Sequence, residues 1–388
     1  MKRKILIGCV LAGAMMFTLL VPVDARIKLV TKPGRDSVSI RLDNKRYTLV
    51  EEERTVPLQT GTNRLDFSWA NIRIDKESIL IRVVEKPKGA KEVNVLSQSY
   101  PPGENALVWD VSTDAPGPCR IRISYLLFNL NRVVSYRAIA EKDEKKMVFK
   151  TYLKLRNFSG EDFEQAVIHV GYGENFKKSM KNGESKQMLS AKHADVPIVK
   201  TYTYDYSKYG GKTPMHYKIV NDGKNQLGKY ALQVGKARIF IIKDPKSRDT
   251  AFLGEDWLRG ETGDICPIGG EAKLFLGLAQ DIKVNADELT PVRAPQRMFY
   301  EEVNKRGNAY NLRERYKLEI KNFKKEDIVL DCIVHIDNMG RDCYWEMEEK
   351  THEYEKKDYR TLIFHVKVPK GGKPVEVVYQ YLKKNLWR

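Results

Sequence analysis

Apolar residues in this chain recur at every second position, and that period of two excludes most folds before any other feature is considered. SVSIRL (Ser37–Leu42), RLDFSW (Arg64–Trp69), SILIRVV (Ser78–Val84), CRIRISYLLF (Cys119–Phe128) and MVFKTYLKL (Met147–Leu155) alternate or are rich in β-branched residues. So do ARIFIIK (Ala237–Lys243), YKLEIKN (Tyr316–Asn322), TLIFHVKV (Thr361–Val368) and VEVVYQYL (Val375–Leu382). Alternation at this period places one set of side chains on each face of a strand. Turn chemistry such as QTGTN, YPPGEN, NDGKN and PKGGK separates the runs. No heptad run or long amphipathic helix occurs, and NADEL near Asn285 is long enough only for a short helical turn. The expected fold class is all-β: two β-sandwich-like domains of mainly antiparallel short strands, with little helix. A rise in charge near residues 129–145 divides them into an N-terminal β-domain at 26–130 and a larger C-terminal β-domain at 131–388.

The first 25 residues read as a secretory signal. Lys2, Arg3 and Lys4 form a basic head, Ile5 to Val21 an apolar run, and Val23 and Ala25 the small residues of a cleavage site. Cleavage would start the mature chain at Arg26. A retained membrane anchor is the other reading; a lipobox around Cys9 fails because its apolar segment is too short. No later stretch is apolar for long enough to span a bilayer as a helix. The formal net charge is +17. Residues 131–230 alone hold 19 basic against 11 acidic side chains, which predicts a single basic face in the middle of the chain.

Four cysteines follow the signal: Cys119, Cys266, Cys332 and Cys343. An even number in an exported chain permits disulfides. DCIVHIDNMGRDCYW reads as strand, turn and strand, so Cys332 and Cys343 are expected to pair across a hairpin. Whether Cys119 and Cys266 pair is left open. No CxxC occurs, and Cys332 and His335 point to opposite faces of a strand, so no metal site is expected. HExxH and GxSxG are absent, and the GxG in VGYGEN lacks the third glycine of a dinucleotide loop. No cofactor is expected.

One motif occurs twice. Gly160-Glu161-Asp162-Phe163 and Gly254-Glu255-Asp256-Trp257 share glycine, two carboxylates and an aromatic ring. A glycan hydrolase could draw one carboxyl from each copy if the two approach to about 5–10 Å. Adjacent strand residues face opposite ways, however, and no histidine or nucleophile accompanies either copy. The expectation is two structural turns in one C-terminal β-domain. Gly160 and Gly254 then serve the backbone, Phe163 and Trp257 the core, and Arg248 or Arg259 balances the second acidic pair. The most suggestive surface segment is KTYTYDYSKYGGK. Tyr202, Tyr204 and Tyr206 fall on one strand face, and Lys200, Lys208 and Lys212 lie near them, a pattern suited to sugar rings or bases and to anions. A half-buried sheet face, where tyrosine is favoured anyway, is the other reading.

Several segments in order resemble a known family. They are YLKLRNFSGEDFEQAVIHVGYG, GKARIFIIKD, TAFLGEDWLRGETGDICPIGGEAKLFLGLAQDIKV, RERYKLEIKNFKKEDIVLDCIV and YEKKDYRTLIFHVKVPKGGKPVEVVYQY. Together with YTLVEEERTVPLQTGTNRLDFSWANIRIDKESILIRV they make the chain resemble the mucoidy-inhibitor-A-like proteins, which carry domain of unknown function 4139. The resemblance implies a secreted or envelope β-protein with no established enzymatic activity, in which both Gly-Glu-Asp copies are structural. It supplies no catalytic residues. Arg132 replaces an expected tryptophan, and the coiled-coil insertion of some members is missing. The reading that follows is an exported, non-enzymatic protein of the periplasm or cell surface, with an anionic polysaccharide or another envelope protein as partner. The alternatives are an envelope-glycan hydrolase using Glu161/Asp162 and Glu255/Asp256, and extracellular nucleic-acid binding through the basic face, which the residues favour least.

Overall fold

A computed structural model describes residues 26–30, 34–44, 46–171, 175–285 and 294–387. The expected signal at 1–25 lies outside the described residues, as does most of NADEL. The chain is nearly all strand. In order the strands are β1 (Arg26–Val30), β2 (Ser37–Arg41), β3 (Thr48–Leu58), β4 (Gly61–Ser68), β5 (Leu80–Glu85), β6 (Val93–Ser99), β7 (Ala106–Thr113) and β8 (Gly117–Leu127). They continue as β9 (Leu130–Ala140), β10 (Lys146–Asn157), β11 (Phe163–His169), β12 (Phe176–Met180), β13 (Ser185–Pro197), β14 (Val199–Asp205), β15 (Pro214–Val220), β16 (Gly235–Asp244) and β17 (Asp249–Leu258). The last nine are β18 (Glu271–Leu278), β19 (Ile282–Val284), β20 (Gln296–Arg306), β21 (Ala309–Asn322), β22 (Ile328–His335), β23 (Tyr344–Lys350), β24 (Tyr354–Lys356), β25 (Thr361–Val368) and β26 (Val375–Trp387). One α-helical turn, α1 (Tyr206–Tyr209), interrupts them. The all-β expectation holds, and most strand pairs are antiparallel; β1–β4, β9–β16 and β14–β22 are parallel. Among the described residues no helix is long and apolar enough to cross a membrane.

The chain forms two compact units, divided between Asn129 and Leu130. The expected C-terminal domain is not continuous, however. Asn157–Ile168 and Phe176–Gly183 belong to the first unit, because β11 lies beside β2 and extends its sheet in the order β12-β11-β2-β3-β8-β5. That pairing joins residues more than a hundred positions apart, which a local pattern does not specify. The second sheet of this unit runs β1-β4-β7-β6. The Phe67 ring from β4 lies 5.7 Å from Tyr125 of β8, so the two sheets face each other across an aromatic core. In β3 every second residue is buried, and the inward positions include Glu52 and Arg54 as well as Val50 and Val56.

The second unit holds three sheets, ordered β13-β10-β9-β16-β17, β18-β15-β14-β22-β25-β24 and β19-β21-β26-β23, with β20 on β21. Phe364 of β25 meets Tyr379 of β26 at 5.3 Å, which places the last two sheets face to face. Tyr202, Tyr204, Leu330, Cys332, Phe364 and Val377 belong to their shared core.

Cys332 and Cys343 do not form the expected hairpin disulfide. Cys332 lies in β22, which pairs with β14 and β25, whereas Cys343 leads into β23, which pairs with β26 in the other sheet. The chain does turn between them, with Asn338 at φ 57°, but the outgoing strand joins a different sheet. All four described cysteines are buried and unpaired. Cys343 Sγ donates to the Asn385 carbonyl at 3.0 Å, and burial pushes the Cys332 thiol well above its ordinary value. Thiol titration of the chain from Arg26 onward, denatured without reductant, is expected to count all four cysteines, with slow reaction in the native state. A count of two would restore the disulfide.

Candidate functional site

The two segments singled out in the sequence meet in the second unit, although not in the way their patterns suggested. β14 pairs with β15 and β22 along its edges, and its last four residues are all buried, so its end is covered on both faces. Tyr202 and Tyr204 are therefore core residues and not a surface ladder. Spacing by two put them on one face but did not say which face was wet. At Asp205 the strand stops, because its carboxylate accepts the Lys208 backbone N–H at 3.0 Å and caps α1. Gly210, in the left-handed region at φ 57°, ends the turn. The turn carries Tyr206 out of the strand and presents Lys208 and Tyr209 to a cleft.

The cleft has a volume of about 460 Å³. Its walls are the ends of β14, β17 and β22, the inner part of β15 and β18, and the loops at 259–261 and 357–361. Most of its acids are committed to the fold. Asp205 also meets His335 Nε2 at 3.1 Å, and the other ring nitrogen of His335 lies 3.4 Å from the Thr361 hydroxyl. Asp256 accepts the backbone N–H groups of Trp257 at 2.7 Å and Phe275 at 2.8 Å. Glu271 accepts from Lys218 at 3.1 Å. Backbone donation from Arg360 holds the Asp358 carboxyl below its usual range, with the Thr361 hydroxyl adding to it. The cations are different. Among the described residues Arg259, Lys273 and Lys357 have no carboxylate partner, and Lys208 lies only over the Tyr209 ring, at 5.2 Å. Among the same residues Glu261 is the one acid of the cleft in an equally uncommitted state. Counting formal charges alone would call the cleft slightly negative, five acids against four cations, yet the cations without a carboxylate partner outnumber the one uncommitted acid.

His216 lies deeper, its ring 5.6 Å from that of Phe275. Burial lowers its imidazole below the ordinary value and nearby Lys273 adds to this, so the ring is neutral at pH 7. Its Nδ1 is buried without a protein partner. Trp257, expected in the core, is 48% exposed at the cleft, because its strand β17 is the edge of its sheet.

Of the residues named from sequence, Lys208, Asp256, Trp257 and Arg259 line the cleft, and Lys208 alone comes from the tyrosine–lysine group. Lys200 is held by Glu144 at 2.7 Å, Tyr206 is exposed on α1, and neither it nor Lys212 lines the cleft. Sequence reasoning missed His335, Lys273 and Lys357, and cast Arg259 only as a neutraliser of the acids. The four come from segments far apart in the chain, and the one available signal was Asp205 standing at the end of a tyrosine strand, ahead of Ser-Lys-Tyr-Gly.

The first Gly-Glu-Asp copy is elsewhere, in the first unit. Glu161 is fully buried, bound to the Arg35 guanidinium and accepting the Tyr125 hydroxyl at 3.2 Å. Glu161 is therefore closed to a substrate, whereas Asp162 beside it is exposed and accepts the Asn182 backbone N–H at 2.7 Å; the two copies lie in different units. The expected placement of both copies in one C-terminal β-domain therefore fails. Phe163 is buried as expected. Among the described residues no cluster of three or more His, Cys, Asp or Glu side chains is placed to hold a metal ion. No family model matches the chain, and no curated protein matches it.

Proposed function

We propose that this chain is an exported, non-enzymatic envelope protein, related to the mucoidy-inhibitor-A-like proteins it resembles, that binds an acidic surface polysaccharide in the cleft. The observation that carries this reading is the exposed Trp257 beside cations that lack partners. An indole face packs on the apolar face of a sugar ring, and Arg259, Lys273 and Lys357 supply charge to its carboxylate. The committed acids shape the wall and are held in place by the donors they accept from. A hydrolase is the second reading, favoured by Asp256 and Glu261 lining one cleft. It is weaker, because Asp256 accepts two backbone N–H groups, which ties its carboxylate to the fold.

Calorimetry with uronate oligosaccharides tests the proposal. Trp257→Ala is expected to weaken binding about tenfold or more, as loss of one stacked ring does. Arg259→Ala should weaken it further and flatten the salt dependence, and a neutral oligosaccharide of the same backbone should bind less tightly. Equal affinity for neutral and acidic chains would sink the charge argument. Release of new reducing ends from the same panel would promote the hydrolase.

A further inference from the structure

The five-stranded sheet of the second unit carries a second feature, independent of the cleft. Along β10 the residues Met147, Phe149, Leu153 and Leu155 point inward, so Tyr152, Lys154 and Arg156 point outward. Along β16 the inward residues are Ala237 and Ile239, which turns Lys236 and Arg238 outward. β9 lies between these strands, and its parallel register with β16 sets Arg137 directly opposite Arg238. These side chains line a groove of about 240 Å³. Among the described residues Glu255 is the only carboxylate seen to reach it, at 2.7 Å from Lys236 and 3.8 Å from Arg238. Among the described residues Arg137, Lys154 and Arg156 have no carboxylate partner. This is the basic face that the charge excess of residues 131–230 predicts, completed by two residues from β16.

Like charges on neighbouring strands repel and cost stability. An array that is left unneutralised is relieved by an anion from outside. We propose that this face is a binding site for the phosphate groups of a linear, phosphate-bearing polysaccharide. Three of the five cations are arginines, whose planar fork matches the paired oxygens of a phosphate. The array crosses two inter-strand steps, about 10 Å, which is wider than one phosphate and suits several along a chain. The Arg137 guanidinium lies 6.0 Å from the Tyr152 ring and 5.4 Å from the Phe240 ring, which orients it. Those rings are covered by Arg137 and are not free for base stacking, so a phosphorylated glycan fits the face better than single-stranded nucleic acid. Glu255 and Asp256 of the second Gly-Glu-Asp copy thus serve different places: Glu255 trims the basic face and Asp256 lines the cleft.

Dextran phosphate, uncharged dextran, a thymidine oligonucleotide and phosphatidylglycerol vesicles are the probes, titrated over a range of salt. Dextran phosphate should bind, plain dextran should not, and the affinity should fall steeply with salt. The double variant Arg137→Ala/Arg156→Ala should lose at least tenfold in affinity for dextran phosphate and shallow the salt slope by about 1–2. Lys154→Glu, at a half-buried position on the outward face of β10, should show the same direction if the double variant folds poorly. The fold-loss caused by the double variant should be the same in a Trp257→Ala background, which keeps failure of this site distinct from failure of the cleft. Unchanged binding in the double variant and in Lys154→Glu overturns the proposal. Tighter, variant-sensitive binding of the oligonucleotide overturns the choice of a glycan, and capture by the vesicles overturns it in favour of a membrane surface.

Discussion

Gly160→Val is expected to destabilise the first unit by on the order of 4 kcal/mol, whereas Gly254→Val should leave the second unit unchanged or slightly more stable. The two glycines begin the same four-residue motif, yet only one is constrained. Gly160 sits at φ +93°, and an added Cβ would lie 2.0 Å from the Asn71 carbonyl oxygen and 3.2 Å from the Ile72 Cα. Both obstacles are backbone and cannot rotate away. The Asn71–Ile72 turn is itself fixed, with Asn71 at φ 58° and Arg73 donating its N–H to the Ser159 carbonyl at 3.2 Å. Left-handed strain of about 1–3 kcal/mol therefore adds to a steric clash that only a backbone shift relieves. Gly254 is free of both: its φ is not positive, and an added Cβ would meet nothing within 4 Å. In the strand β17 a β-branched residue is favoured. The aromatics should divide the same way. Phe163→Ala should cost about 3–5 kcal/mol, and Trp257→Ala almost nothing in stability. Urea unfolding followed separately for each unit reads all four variants. A Gly160→Val chain that unfolds with the wild-type midpoint would remove the close approach at Asn71 as a constraint.

The strands were legible because alternation is written into the residues themselves, as in β10, where five inward positions run Met147, Phe149, Thr151, Leu153 and Leu155. What alternation cannot specify is the partner of a strand or the side of a sheet that is wet. The return of β11 to the first unit, the burial of Tyr202 and Tyr204 in a central strand, and the separation of Cys332 from Cys343 are all failures of that kind. The repeated Gly-Glu-Asp motif failed for a related reason. Four identical or similar residues entered a turn in one copy and an edge strand in the other, and their surroundings set their roles. The cleft was half legible. Its two segments stood out, but Asp205 and His335 are 130 residues apart, and only the parallel pairing of β14 with β22 brings them together. Composition pointed to an excess of basic residues at 131–230 without saying which strands or which face would carry them.

Glu161→Ala is expected to cost about 3–5 kcal/mol in the first unit, although the sequence alone assigned the acid of this turn no structural role. Its carboxylate is the end of a buried chain of charges. Arg35 bridges Glu161 and Glu52, with its Nε 2.8 Å from Glu52, and Arg54 meets Glu52 at 2.9 Å. Both carboxylates are fully enclosed, Arg54 nearly so, and Tyr125 adds its hydroxyl to Glu161. Two positive and two negative charges balance inside the sandwich. Removing Glu161 leaves Arg35 desolvated with one partner instead of two and strands the Tyr125 hydroxyl, and a buried group without a partner carries its full desolvation cost. Glu161→Gln should fall between alanine and wild type, since the amide oxygen still accepts a hydrogen bond but supplies no charge. The decisive comparison is Arg35→Met/Glu161→Leu/Glu52→Leu/Arg54→Met, which removes the charges together. Replacing a complete buried ion network by packed apolar groups is often neutral or stabilising, so this variant should recover much of the stability lost by Glu161→Ala alone. If the fourfold variant is no better than the single one, the acids hold the Asn157–Ile168 segment against β3 by geometry and not merely by charge balance. If Glu161→Ala unfolds like wild type, the buried network contributes nothing, and the inward Glu52 and Arg54 of β3 must be explained in another way.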